Sequence, residues 1–189
     1  MPEILAGFLA ERPGVTVDLQ ERLSRDIVRG VMDGSTDLGI IAGPIKADGL
    51  QVIHFSTDQL ILVTPLDHPL AARKKVKLTE TLAYPHIGLH EGTTLLRFLN
   101  EQVALSGQTL NMRIKVYSFE AMCRMVEAGV GLAILPESSA RRHQQTMGLH
   151  IVELDEPWRV RERSILVRDL EALPALISAL ITIFLTQTD

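Results

Sequence analysis

The amino-acid sequence predicts an α/β fold with mostly parallel sheets. Three observations carry that reading. Short continuous apolar runs at 38–42 and 132–135 lie between turn signals, the mark of strands buried on both faces. Segments with apolar residues at helical spacing separate such runs. The alternation occurs twice, in two β-α-β-rich halves that meet near Thr64 and Pro65.

Residues 2–11 read as a helix with Ile4, Leu5, Phe8 and Leu9 on one face, ended by Pro13 and Gly14. Val15, Val17 and Leu19 alternate with polar residues at the period of a strand. Ser24 is the expected N-cap of a helix carrying Ile27, Val28, Val31 and Met32, with Asp26 in its first turn and Gly34 as its C-cap. The run 38–42 is a buried strand closed by Gly43 and Pro44. Two strand-like runs follow at 50–55 and 60–64, then a polar, basic loop at 73–77.

The second half opens with a strand at 86–89. Gly92, Thr93 and Thr94 begin a helix carrying Leu95, Leu96, Phe98, Leu99 and Val103. A strand at 114–116 leads to Ser118, which caps a helix through Met122, Met125 and Val126 that stops at Gly129. The strand 132–135 ends at Pro136, and a polar helix occupies 137–145. Late strands at 151–154 and 164–168 precede a closing helix whose face is Leu173, Leu176, Ile177, Leu180, Ile181 and Phe184.

Composition narrows the function. The chain has 189 residues, 46% of them hydrophobic and only 4% aromatic, so it can bury an aliphatic core without a disulfide or metal staple. A formal net charge of −4 lacks the basic footprint of a free-standing nucleic-acid binder. The single Cys123 allows no disulfide within the chain, which fits a reducing compartment or simple indifference to one. Met1-Pro2-Glu3-Ile4 is no secretory signal. The apolar stretch 173–185 falls short of the about 20 residues that span a bilayer.

In open parallel sheets ligands bind beyond the carboxyl ends of strands, near helix N-termini. Three strand ends qualify: Ala42-Gly43-Pro44-Ile45, His90-Glu91-Gly92-Thr93-Thr94 and Tyr117-Ser118-Phe119. In the last two, a hydroxyl stands where free backbone N–H groups suit a carboxylate or similar anion. For Thr94 or Ser118 taken singly, plain N-capping is the simpler reading, and the two together favour binding only modestly. Catalytic readings find little. No nucleophile elbow surrounds Ser118, Ser138 or Ser139. Cys123 falls mid-helix as a small core residue. The six histidines lack metal spacing. Asp155 and Glu156 read as a solvated loop, as do the basic residues 73–77. Arg141-Arg142-His143 lies near a helix C-terminus, where positive charge is favoured.

Four stretches, in order along nearly the whole chain, now carry a resemblance. They are Pro2 to Phe8 followed by Glu11-Arg12-Pro13-Gly14-Val15; Asp33-Gly34-Ser35-Thr36-Asp37-Leu38-Gly39-Ile40; Leu60-Ile61-Leu62-Val63-Thr64-Pro65-Leu66-Asp67-His68-Pro69-Leu70-Ala71; and Val126-Glu127-Ala128-Gly129-Val130-Gly131-Leu132-Ala133-Ile134-Leu135-Pro136. The chain resembles the effector-binding domain of LysR-type transcriptional regulators. The resemblance implies two Rossmann-like lobes of the periplasmic-binding-protein type (type 2), joined by two crossover segments near 63–65 and 161–164. Lobe I takes 1–63 plus 163–189, and lobe II takes 64–162. The effector sits in the cleft between them. Contacts carried over by position are Ala42, Gly43 and Pro44 from the first lobe. From the second they are His90, Thr93, Thr94, Ser118 and Phe119, with Pro136 nearby.

The same resemblance implies a cytoplasmic homodimer or tetramer with a small, anionic organic effector. It implies no cofactor, metal, membrane or enzymatic step, and contact with DNA only through an N-terminal winged helix-turn-helix domain. That domain, its linker helix, the first sheet strand and its Ser/Thr-rich turn are all expected upstream of Pro2. The alternative is a solute receptor of a transport system on the same fold, which needs a signal peptide or lipid anchor.

Overall fold

The computed structural model describes residues 2–43 and 46–186. In chain order the elements are α1 (Pro2–Ala10), α2 (Ser24–Asp33), β1 (Gly39–Ala42), β2 (Gln51–Pro65), β3 (Lys75–Val76), α3 (Leu78–Thr81), β4 (His86–Leu89), α4 (Thr94–Ala104), β5 (Met112–Val116), α5 (Phe119–Glu127), β6 (Leu132–Pro136), α6 (Glu137–Gln144), β7 (Leu149–Leu154), β8 (Val160–Val167) and α7 (Ala175–Thr186). The chain divides into two compact units. One is Met1–Thr57 with Glu162–Asp189, and the other is Asp58–Arg161.

In the second unit β6, β4 and β5 run parallel, with β4 in the middle. The last part of β2 pairs antiparallel with β6 and β7, and β3 adds to β7 in parallel. Side chains of a strand alternate between faces, and here both faces are dry. Leu60, Leu62, Leu132 and Ile134 pack with Leu99 and Val103 of α4. Ile61, Val63, Ala133 and Leu135 pack with Met122, Cys123 and Val126 of α5 and Ala140 of α6. Burial on both sides is why these strands read as unbroken apolar runs.

In the first unit β1 lies antiparallel to β8 in the register Gly39↔Leu166 to Ala42↔Arg163. Ile165 and Val167 pack with Ile181 and Phe184 of α7 on one face, where Phe55 meets Phe184 edge-on at 5.8 Å. Leu166 and Ile41 pack with Val31 of α2 on the other. A methyl group at Gly39 stands 2.6 Å from Ile27 Cγ2 and 3.0 Å from Val31 Cγ2, so α2 rests directly on the strand backbone. Both obstacles are Cγ2 methyls of β-branched helix residues, stiff about χ1, so α2 itself must give way. Gly39→Ala is expected to cost about 2 kcal/mol in urea unfolding, the middle of the overpacking range. Unchanged stability speaks against the close approach.

The structure corrects several expectations. The sheet is mixed and not mostly parallel, because β1 runs against β8, and β2 runs against β6 and β7. The alternating segment 15–20 forms no strand. Its spacing suits a pleat, but a strand also needs a paired neighbour, and Leu19 is 64% exposed. The runs 50–55 and 60–64 belong to one strand, Gln51–Pro65, which continues through Ser56 and Asp58 because no glycine or proline stands between the runs to reverse the chain. The loop 73–77 contains β3, and two of its four basic side chains are paired: Arg73 with Glu80, and Lys75 with Glu153. Ser24 is the first helical residue of α2, with Leu23 at the cap. Glu156 is more than a solvated loop residue, because it accepts the Leu78 N–H at 2.8 Å and so caps α3. Leu173 precedes α7, and Leu176 is 38% exposed.

Candidate functional site

The carboxyl ends of β4, β5 and β6 share one edge of the second unit's sheet, because the three strands are parallel. Chain order β4, β5, β6 with β4 central sends α4 to one face and α5 to the other. Sheets wound this way bind ligands beyond that edge. His90 follows β4 and donates its backbone N–H to the Val116 carbonyl at 2.9 Å, which sets it beside Tyr117. Their rings stack with centroids 4.7 Å apart, and Tyr117 is 80% exposed. His90 Nδ1 is buried and meets no hydrogen-bond partner among the described residues.

Gly92 has φ +87°, a turn that a side chain resists, and it lets the chain enter α4. Thr93, not Thr94, is the N-cap. Its Oγ1 accepts the Leu96 N–H at 3.4 Å and donates to the His90 carbonyl at 3.1 Å. Thr94 is the first helical residue. Ser118 caps α5, accepting the Ala121 N–H at 3.1 Å. Phe119 is half-buried and packs against the α5-face core. Pro136 ends β6 opposite Leu60 and precedes α6. Thus His90, Thr93, Thr94, Ser118, Phe119 and Pro136 lie along one sheet edge.

Charge near this edge is largely neutralised. Lys115 hydrogen-bonds Glu91, and that bond and the ammonium charge hold the Glu91 carboxyl below its usual range. At α6, partial burial pushes the Glu137 carboxyl up, but hydrogen bonds from Gln59 and Arg141 outweigh it and leave it lowered. Asp58 accepts from both the backbone N–H and the hydroxyl of Ser138.

In the first unit, exposed Ala42 ends β1 opposite Arg163. Gly43 has φ +80° and donates its N–H to the Glu162 carbonyl at 2.8 Å. Pro44 lies outside the described residues.

The His90–Tyr117 stack and the Lys115–Glu91 pair were not read from the sequence. Both join residues of neighbouring strand ends, and only the β4–β5 pairing brings them together. A cavity of about 10 Å³ behind the edge, lined by His86, Gly88, Leu96, Met112 and Ile134 among others, holds at most one water and is a packing defect of the core. Among the described residues no group of His, Cys, Asp and Glu is arranged to hold a metal ion.

The family model of the LysR substrate binding domain matches residues 1–189. The chain belongs to that family. Its members are transcriptional regulators, and the matched region is the part that binds their effectors. Among similar LysR-type proteins are the probable RuBisCO transcriptional regulators of Trieres chinensis and Synechocystis. The first is 27% identical over 164 residues, covering 82% of this chain and 53% of the relative. The second is 27% identical over 160 residues, covering 82% and 46%. The chain thus spans about half the length of the curated relatives it matches. The LysR-type fold recurs in the Synechocystis PCC6803 CcmR regulatory domain in complex with 2-PG, with a TM-score of 0.88 and 20% identity, covering 100% of this chain and 90% of that one. It recurs in the effector-binding domain of QuiR in complex with shikimate, with a TM-score of 0.79 and 18% identity, covering 99% and 89%. These likenesses are of fold, the periplasmic-binding-protein-like α/β type. Among the described residues no helix is long and apolar enough to cross a membrane.

Proposed function

We propose that this domain binds a small anionic effector at the ends of β4 and β5 and thereby controls a LysR-type regulator. The observation that carries the reading is the pair of hydroxyl-capped helix N-termini at neighbouring strand ends, Thr93 on α4 and Ser118 on α5. Helix N-termini present backbone N–H groups and partial positive charge to an anion. Ser118 is exposed, and its hydroxyl proton is free of the capping bond, so it adds a donor. The CcmR regulatory domain and the QuiR effector-binding domain are complexes with the small molecules 2-PG and shikimate. Both are the first candidates here.

Effector binding acts on the regulator only through different affinity for its alternative states. In this reading those states belong to a cytoplasmic homodimer or tetramer, which meets DNA through a winged helix-turn-helix domain beyond the residues described. The role is binding and not catalysis. Burial pushes the Cys123 thiol up to about 11, which keeps it protonated and unreactive at neutral pH. The family match favours regulation over a transport receptor.

Ser118→Asp separates capping from binding. Aspartate caps as well as serine, so stability stays within about 0.5 kcal/mol. The added negative charge repels an anion at the same N-termini. Calorimetry with 2-PG or shikimate is expected to show at least about tenfold weaker binding, a penalty of about 1.4 kcal/mol. Ser118→Val and Thr94→Val each weaken binding by about 1 to 3 kcal/mol, the range for a bond to a charged group. Binding that ignores all three substitutions refutes the site.

A further inference from the structure

Phe98 of α4 is held from two sides by the segment on which the chain leaves the second unit. The Arg161 guanidinium lies over its ring, 4.8 Å from the centroid. The Trp158 ring meets it edge-on, with centroids 5.5 Å apart and planes at 76°. Trp158 stands in the 3-10 turn Pro157–Arg159, and Arg161 is the second residue of β8. Phe98 and Trp158 also pack against the core that contains Leu99, Val103, Leu132 and Ile134. Arg161 is the last residue of the second unit, and the strand it belongs to continues into the first.

Such a stack resists sliding. Arg161 is 7% exposed, and a guanidinium taken out of water holds an aromatic face more firmly than an exposed one. A ring fixed on its face by a cation and at its edge by an indole has two ways to follow a shift of its helix. It breaks one of the two contacts, or it carries Trp158 and Arg161 with it. Packed side chains switch between discrete arrangements and do not deform continuously. Phe98 lies four residues after Thr94, on the same helix face. A displacement of the α4 N-terminus therefore reaches Arg161 through one turn of helix and a single ring.

We propose that the Arg161–Phe98–Trp158 stack couples the start of α4 to the strand on which the chain leaves the second unit, with Arg161 as the positioning residue. Only the use of this coupling rests on the effector reading: an anion seated at the α4 N-terminus displaces the helix, and the stack passes the movement into β8. The coupling itself belongs to the fold and holds without ligand.

Trp158 is the single tryptophan of the chain, so its indole N–H gives one NMR peak that needs no assignment. Thr93→Ala supplies the perturbation, because it removes the α4 cap. The parent, Thr93→Ala, Arg161→Met and the double variant are compared under conditions where all are folded. Thr93→Ala is expected to move the indole peak in the parent background. In the Arg161→Met background, where a loosened ring absorbs the shift, it moves the peak less than about half as far, the signature of coupled sites in a double-mutant cycle. A purely structural Arg161 lowers stability on substitution but leaves the peak's response to Thr93→Ala unchanged. A peak that stays still in the parent background, or moves equally in both, overturns the proposal. If Arg161→Met fails to fold, Arg161→Lys takes its place, since it keeps the charge and loses the planar head. Calorimetry with 2-PG or shikimate tests the effector reading separately. Binding heat beside an unresponsive indole peak sinks the coupling and leaves that reading intact. A coupled peak without binding heat does the reverse.

Discussion

Gly131→Ala is expected to destabilise the protein by about 3 kcal/mol, the upper end of an overpacking penalty. Gly131 is buried just before β6. A Cβ there stands 2.5 Å from the Pro85 carbonyl oxygen and 3.0 Å from its carbon. The obstacle is backbone, which cannot rotate aside as a side chain does. The same carbonyl accepts the Leu132 N–H at 2.8 Å, and His86, the next residue, donates its N–H to Asn111 at 2.8 Å. Moving Pro85 away therefore strains the starts of the β4–β6 and β4–β5 ladders together. Urea unfolding measures the loss. Gly7→Ala is the control, because nothing lies within 4 Å of its added Cβ and alanine suits the helix interior better. A Gly131→Ala loss below about 0.5 kcal/mol, the scale of ordinary surface substitutions, contradicts the close approach.

The second large effect is acid destabilisation through His86. This residue is 2% exposed. Its Nδ1 stands 3.0 Å from the Tyr84 carbonyl, which only accepts, so Nδ1 carries the proton. Nε2 is then an acceptor, 3.0 Å from the Thr81 hydroxyl. That hydroxyl also lies 2.8 Å from the Leu78 carbonyl, so one proton serves two acceptors at the start of the β4 edge. Burial disfavours the imidazolium, and the Tyr84 carbonyl offsets this only in part, leaving the pKa lowered to about 4.

The sign follows from proton counting. Between pH 6.5 and about 4 the unfolded chain binds a proton at His86 that the folded chain refuses. Stability is whole above pH 6.5 and falls as the pH drops toward 4, by about 3 kcal/mol over the window. His68, lowered mainly by burial, adds to the slope in the same direction. The lowered carboxyls of Glu80, Glu91, Glu127 and Glu137 act further into acid, below their ordinary 4.5. Unfolding free energies from pH 7 to 4.5, in His86→Gln against the parent, isolate the histidine. The variant has lower stability throughout but a flatter pH dependence. Equal slopes refute the assignment.

Much of the candidate site was legible before the structure. Ser118 at a strand-to-helix junction, three residues before Ala121, is a capping signal carried by local chemistry. The α4 start was legible to one residue, and the choice between Thr93 and Thr94 turned on backbone dihedrals that the letters do not encode. The His90–Tyr117 stack and the Arg163–Phe55 contact were illegible, because each joins strands whose pairing is set at long range. His86 showed no metal spacing, yet its burial lowers its pKa to about 4 and makes stability depend on pH.

The sequence alone determined what depends on near neighbours and on pattern: the α/β class, the Ser118 cap, the doubly buried strands of the second unit, and the family. It misjudged 15–20, where alternation is present but no pairing follows, and it split β2 at polar residues that the ladder carries through. The tertiary structure decided strand direction, the approach of Gly131 to Pro85 and the burial of His86. Side-chain periodicity specifies which face a residue takes. Only the partners across the sheet specify what that face meets.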